Sequence, residues 1–203
     1  MIPSEVQLAD IVGIDIFGNI SDPYVSGVIS VDPKYAKFGP HAVSIEFFYM
    51  ATTLETSFMT PPQAGSDSLG GFKFVPTVTY DDCPRDLDIV LIGGPLPSHR
   101  PPQADKFMKE AWGKTPVWLT TCIGSVWLAS TGLLEGKTCT TNKEFLDMAN
   151  QIKGELWIAG GAGAGIDMIA YYCLKRFGHE FVNTISLEML ELNPGGRYGQ
   201  FYT

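Results

Sequence analysis

An α/β fold built on a mostly parallel sheet is the class this chain predicts, and three features of the sequence carry it. Two short apolar runs, residues 87–92 (LDIVLI) and 117–121 (VWLTT), read as strands covered on both faces, because their apolar residues are continuous rather than alternating. Each run is followed by a segment of helical period, residues 103–112 after the first and 123–133 after the second. A chain of 203 residues, 45% hydrophobic, can bury one good core, so the alternation implies a three-layer α/β sandwich in a single domain over residues 1–203.

The elements follow in order. Leu8, Ile11, Val12, Ile14 and Phe17 recur at roughly helical spacing and predict a helix over residues 4–20, capped by Ser4 and stopped by Asp22-Pro23. Residues 24–40, rich in Gly, Pro and Ser, predict a loop. AVSIEFFYMA, residues 42–51, has the aromatic and β-branched character of a strand. A second loop is predicted over 60–71, then strand structure over 72–80 (FKFVPTVTY) broken at Pro76. Gly93, Gly94 and Pro95 stop the run 87–92, and IDMIAYYCLKRF, residues 166–177, predicts the last long helix.

Charge and composition exclude several function classes. A formal charge of −8, with fourteen scattered basic residues, argues against nucleic acid as a partner, because phosphate neutralisation needs clustered cations. No apolar run is long enough to span a bilayer, so no membrane partner is expected. The opening MIPSEVQLAD lacks the basic and apolar regions of a signal peptide, which sets the expectation of a cytoplasmic location. Four cysteines, at 83, 122, 139 and 173, have no C-x-x-C spacing and no cysteine–histidine clustering, so no metal site is expected and reduced thiols are favoured over disulfides.

One cysteine stands at a position that suits chemistry. In Thr120-Thr121-Cys122-Ile123-Gly124 an apolar strand turns within three residues into a helix, and Cys122 occupies the corner. Open α/β sheets bind ligands at this carboxyl edge. A nucleophile elbow, G-x-S-x-G, uses the same geometry to expose a side chain, although here Thr120 replaces its first glycine. Unpaired N–H groups at a helix start favour the thiolate, the form that attacks. A buried, space-filling cysteine is the competing reading.

The run TTCIGSVWLASTGLLEGKTCTTN resembles the nucleophile region of the DJ-1/PfpI (ThiJ) superfamily, and within it the isocyanide hydratase-like branch. LWIAGGAGAGID, residues 156–167, is similar to that family's glycine-rich strand-to-helix turn; QLADIVGIDIF, residues 7–17, to its acid-bearing first helix; and LIGGP, residues 91–95, to the turn that supplies an oxyanion-hole amide. The resemblance implies a flavodoxin-like sandwich and makes Cys122 the nucleophile, Asp10 the acidic partner and the backbone N–H groups of Gly94 and Ile123 the oxyanion hole. Asp15 competes with Asp10 for the acid's role. Asn142, Gly161 and Trp127 are the candidate pocket residues, although core is the favoured reading of Trp127.

The chain departs from the pattern in places. Many relatives carry a histidine after the T-T dipeptide, whereas Asn142 stands here and cannot act as a base at neutral pH. His41, His99 and His179 remain; His99, five residues past Gly94, is near enough in sequence to reach a pocket but reads more readily as a surface-loop residue, and His179 reads as an exposed cap. The resemblance leads to the expectation of a core strand before Val6 and a longer segment than 143–154, so a shortened chain is expected relative to the family. A missing strand exposes a sheet edge, which supplies a motive for the homodimer that the resemblance implies. The glycines at 160, 161, 163 and 165 suggest a nucleotide loop, but Glu180 or Glu188 meets its requirement for a later acidic residue only by loose counting, and close backbone packing beside the corner explains them better.

The function expected from this reading is that of a cofactor-independent cysteine enzyme acting on a small molecule, with thiolate attack on an isocyanide and hydration to an N-formamide. Glyoxalase-like or natural-product tailoring chemistry on the same cysteine is the alternative, as is a non-enzymatic, redox-responsive protein in which Cys122 is oxidised.

Overall fold

The computed structural model describes residues 8–55, 57–58, 73–95, 99–135 and 156–192. Ser4, the loop 60–71, Cys139, Asn142 and the compact segment 143–154 lie outside the described residues. In chain order the elements are α1 (Ile14–Asn19), α2 (Asp22–Val31), β1 (Met50–Ala51), β2 (Ser57–Phe58), β3 (Lys73–Phe74), β4 (Val78–Thr79), β5 (Ile89–Ile92), α3 (Pro102–Ala111), β6 (Val117–Thr121), α4 (Gly124–Ser130), β7 (Leu156–Ala159), α5 (Ala162–Phe177) and α6 (His179–Val182). A 3₁₀ turn, Leu8–Asp10, precedes α1, and a 3₁₀ helix, Pro33–His41, follows α2. The chain divides into two compact units, the first comprising Met1–Ile11 and Phe48–Gly165, the second Val12–Phe47 and Ile166–Thr203.

The first unit is organised by a three-stranded parallel sheet in the order β5-β6-β7. Central strand β6 is buried along its whole length, as its continuous apolar run requires. Its register sets Ile92 opposite Thr120 on one side and Ala159 opposite Thr121 on the other, so three strand ends converge where β6 stops. Helix α3 begins with Pro102 in its first turn, where the missing N–H has no intrahelical acceptor to lose. It buries Ala104, Phe107, Met108 and Ala111, spaced i, i+3, i+4 and i+7 on one face. These join Val90, Ile92, Trp118, Trp127 and Leu128 in one core, each large side chain contributing about 1.5–3 kcal/mol by burial. Two small pairs complete the unit: β1 parallel to β4, and β2 antiparallel to β3 on either side of the loop predicted over 60–71.

The second unit is helical among its described residues. Here the sequence expectations for 4–20 and 24–40 are corrected. Residues 4–20 were expected to form one helix, but the described part is a 3₁₀ turn, a break at 11–13 and the short α1. Gly13 marks the break and lies so close to Ile169 that a Cβ there would sit 2.3 Å from Cδ1. Residues 24–40, expected as loop, fall almost wholly within α2 and the 3₁₀ helix. Asp22-Pro23 starts a helix rather than ending one: Ser21 is extended at the N-cap, Asp22 complements the helix N-terminus, and proline suits the first turn. The strand expected over 42–51 pairs only at β1 and at a single Ser21–Val43 bridge. Helix α5 starts four residues earlier than expected and runs through the glycines at 163 and 165.

Candidate active site at the Cys122 corner

Cys122 directly follows the last residue of β6 and begins the turn into α4. Its N–H donates to the Ala159 carbonyl at 3.0 Å, which carries the β6–β7 ladder one residue past the strand. Its φ is +52°, in the left-handed region that residues with a Cβ avoid, a conformation worth about 1–3 kcal/mol of strain and concentrated at functional sites. The residue is partly exposed, whereas Cys83 and Cys173 are buried and burial pushes both of their thiols up. Solvent therefore reaches Cys122 better than either of the other two described cysteines.

Two glycines let the backbone pass behind this corner. At Gly124 an added Cβ would lie 2.4 Å from the Ile92 carbonyl oxygen and 3.0 Å from that of Gly93, so the segment leaving β5 runs directly over the start of α4. At Gly94 it would lie 2.9 Å from the Ile123 nitrogen and 3.0 Å from the Cys122 Cβ. The turn after β5 is thus pressed against the nucleophile candidate, and only glycine fits at both crossings.

Asp10 reaches the same place from the 3₁₀ turn. It is 1% exposed. Its Oδ2 accepts from the Gly94 N–H at 3.2 Å, and its main-chain carbonyl accepts from Thr121 Oγ1 at 2.8 Å. Its Oδ1 is buried with no hydrogen-bond partner among the described residues. Burial raises the carboxyl pKa to about 6, outweighing the Gly94 hydrogen bond, which pulls it down. Thr121 in turn packs against the first turn of α5, where a Cβ on Gly165 would sit 2.6 Å from Thr121 Cγ2. Asp10, Gly94, Thr121 and Cys122 therefore form one contiguous group. Chemically it offers a thiol on a partly exposed residue and a buried carboxyl whose pKa is raised to about 6.

The remaining candidates are placed as follows. Gly94 and Ile123 flank Cys122, but the Gly94 N–H, expected to serve an oxyanion hole, is engaged by Asp10. Asp15 is exposed in the first turn of α1. Gly161 immediately precedes α5 and has open space where a Cβ would be. Trp127 is fully buried, and its Nε1–H donates to Asp105 Oδ1 at 3.2 Å. His99 meets that indole edge-on at 6.0 Å and the Arg100 guanidinium lies 5.6 Å from its centroid, and the ring is part of the buried core. His41 ends the 3₁₀ helix and His179 begins α6, both exposed.

Sequence reasoning missed Thr121 and Asp105. Two hydroxyls closing an otherwise apolar strand were the available signal for Thr121, since a buried hydroxyl needs a partner. Asp105 offered none, because the residue it serves is 22 positions away. Among the described residues no group of three or more His, Cys, Asp or Glu could hold a metal ion, and no described helix is long and apolar enough to cross a membrane.

A parallel sheet with helices, a strained cysteine where the central strand ends and a buried acid beside it define an α/β flavodoxin-like sandwich of the cysteine-elbow kind. Residues 42–161 match the DJ-1/PfpI family, and the chain belongs to it. A curated relative, isonitrile hydratase from Pseudomonas putida, is 30% identical over 136 residues, covering 60% of this chain and 58% of that protein's length. Among solved structures, a ThiJ/PfpI family protein from Pseudomonas syringae superposes with a TM-score of 0.69 at 19% identity, covering 94% of this chain and 72% of that one. Schizosaccharomyces pombe DJ-1 gives 0.61 at 11% identity, with 94% and 96% covered. These likenesses show the fold.

Proposed function

We propose that this protein is a cofactor-independent cysteine enzyme that hydrates a small isocyanide to an N-formamide, with Cys122 as nucleophile and Asp10 as proton donor. The observation that carries the reading is the left-handed backbone of Cys122, partly exposed, with the buried Asp10 carboxyl held against the same glycine that abuts it. The likeness to an isonitrile hydratase supports the choice of substrate class.

The steps balance with these two groups and water. The Cys122 thiolate forms a C–S bond to the terminal isocyanide carbon, and the Asp10 proton passes to that carbon, leaving a thioimidate, Cys–S–CH=N–R, and an Asp10 carboxylate. Water then adds across C=N, hydroxyl to carbon and hydrogen to nitrogen, with the carboxylate relaying the proton. The resulting S–CH(OH)–NHR carbon collapses: the C–S bond breaks, the thiolate leaves, and the hydroxyl proton returns to Asp10 as the formamide forms. On this reading the Ile123 N–H, at the N-cap of α4, is assigned to the oxygen that develops negative charge in this last stage, a contribution of about 3 kcal/mol for a well-placed donor.

The test is turnover of an aryl isocyanide, followed by formamide production. Activity abolished in Cys122→Ala and lowered at least a hundredfold in Asp10→Asn supports the reading. Formation of a hydroxy acid from methylglyoxal without isocyanide turnover overturns the substrate class. Stoichiometric oxidation of Cys122 by mild peroxide, with no turnover of either compound, overturns the enzymatic reading.

A further inference from the structure

Gly94 is placed to serve either of two partners. Its N–H donates to Asp10 Oδ2 at 3.2 Å, and a Cβ added to it would lie 3.0 Å from Cys122 Cβ and 2.9 Å from the Ile123 nitrogen. An amide has one hydrogen to donate. It cannot stabilise an oxygen on a Cys122 adduct while it holds the carboxyl, and the carboxyl's other oxygen, Oδ1, is buried without a partner among the described residues.

We propose that the Gly94 amide is a positioning group for the acid rather than part of an oxyanion hole: it fixes Oδ2, presents Oδ1 as the proton-bearing oxygen, and stabilises the carboxylate left when that proton departs. This rests on the reading of Cys122 and Asp10 as the reacting pair. It also narrows the substrate class. Attack on a carbonyl develops charge on an oxygen at once and calls for two donors aimed at that oxygen. Attack on an isocyanide develops charge on carbon, and the first demand is a proton, so a donor is better used strengthening the acid. An amide that bonds the conjugate base more tightly than the neutral carboxyl does that, because hydrogen bonds to charged acceptors are about twice as strong. Substrates without an oxygen at the attacked carbon are therefore favoured over aldehydes and 2-oxoaldehydes.

Among the described residues, two titratable side chains lie against the Gly94 peptide, Asp10 from the 3₁₀ turn and Cys122 from the corner, so the experiment separates them. The Gly94 amide resonance is followed by ¹⁵N–¹H NMR from pH 4 to 8 in Cys122→Ala, which lacks the thiol, and in the Cys122→Ala/Asp10→Asn double variant. The expected result is a downfield movement of the amide proton with a midpoint near the Asp10 pKa of about 6, absent in the double variant. In the unaltered protein carrying an aldehyde as a hemithioacetal on Cys122, the Ile123 amide is expected to move and that of Gly94 to keep its Asp10-dependent titration. A Gly94 amide that ignores Asp10, or that transfers to the hemithioacetal oxygen, overturns the proposal while leaving the catalytic pair intact. Isocyanide turnover that survives in Cys122→Ala overturns the catalytic reading on which it rests, and the proposal with it.

Discussion

Thr121 Oγ1 donates to the main-chain carbonyl of Asp10 at 2.8 Å, tying the last residue of the central strand to the turn that carries the buried acid, 111 positions earlier in the chain. Both groups are buried, so neither has water as a substitute partner. Thr121→Val keeps the volume and removes the donor. It is expected to cost about 1–3 kcal/mol, read from the urea midpoint, because the Asp10 carbonyl is left unsatisfied. Displacement of the carboxyl by even ~1 Å predicts a loss of isocyanide turnover of about a hundredfold. Thr121→Ser, which retains the hydroxyl, is expected to recover most of both.

The raised pKa of Asp10 makes stability fall as pH rises. Its carboxyl ionises near 3.8 when unfolded and at about 6 in the folded chain, so the unfolded state releases the proton first. Below pH 3.8 the group is neutral in both states and exerts no penalty. Between about 4 and 6 the penalty grows, and above 6 it levels off at an upper bound of about 3 kcal/mol, from 1.36 kcal/mol per unit of pKa. Asp10→Asn keeps an acceptor for the Gly94 N–H but carries no charge. It is expected to match the unaltered protein near pH 3.5 and to be the more stable of the two at pH 7.5, by chemical denaturation, while turning over far less substrate. Equal stability differences at both pH values would show that Asp10 is not ionising against its surroundings.

Much of this site was legible in the sequence, and the reason is local. Residues 117–121 are three apolar residues closed by two β-branched threonines, a composition that suits a buried strand, and the strand occupies those five positions. The cysteine corner followed within three residues, where helix start signals are sharpest. Asp10 was singled out, but its surroundings were not: the turn, the Gly94 hydrogen bond and the Thr121 clamp are contacts between segments 84 and 111 residues apart, and periodicity carries no information across such distances. The error at residues 24–40 had a different cause. Gly27, Gly39, Pro33 and Pro40 were weighed as breakers by composition, whereas position decides: Pro23 and Pro33 fall in first turns, where proline is favourable. Trp127 was ambiguous because an indole at a helical position serves core and pocket equally well until its N–H partner is known.

Gly124 and Gly161 make a matched pair of steric tests. A methyl group at 124 meets two backbone carbonyl oxygens, at 2.4 and 3.0 Å, and backbone cannot rotate away. Gly124→Ala is therefore expected to destabilise by about 1–3 kcal/mol and to displace the Cys122 corner, lowering turnover and melting temperature together. At Gly161 nothing lies within 4 Å of the added methyl, and Gly161→Ala is expected to stay within about 0.5 kcal/mol of the parent by the same melt. Comparable losses at the two positions would contradict the close crossing of the β5 turn over α4.

The strain at Cys122 separates stability from activity. At φ +52° a residue with a Cβ crowds its own carbonyl, and only glycine adopts the conformation freely. Cys122→Ala removes the sulfur but keeps the Cβ and its strain; Cys122→Gly removes both. The glycine variant is expected to be more stable than the alanine variant by about 1 kcal/mol, seen as a higher melting temperature, although glycine elsewhere in a folded chain generally lowers stability. Both variants are expected to lose isocyanide turnover completely. If alanine instead proves the more stable, the corner relaxes to an ordinary backbone geometry in solution, and the strained cysteine that supports the proposed nucleophile is not a property of the folded protein.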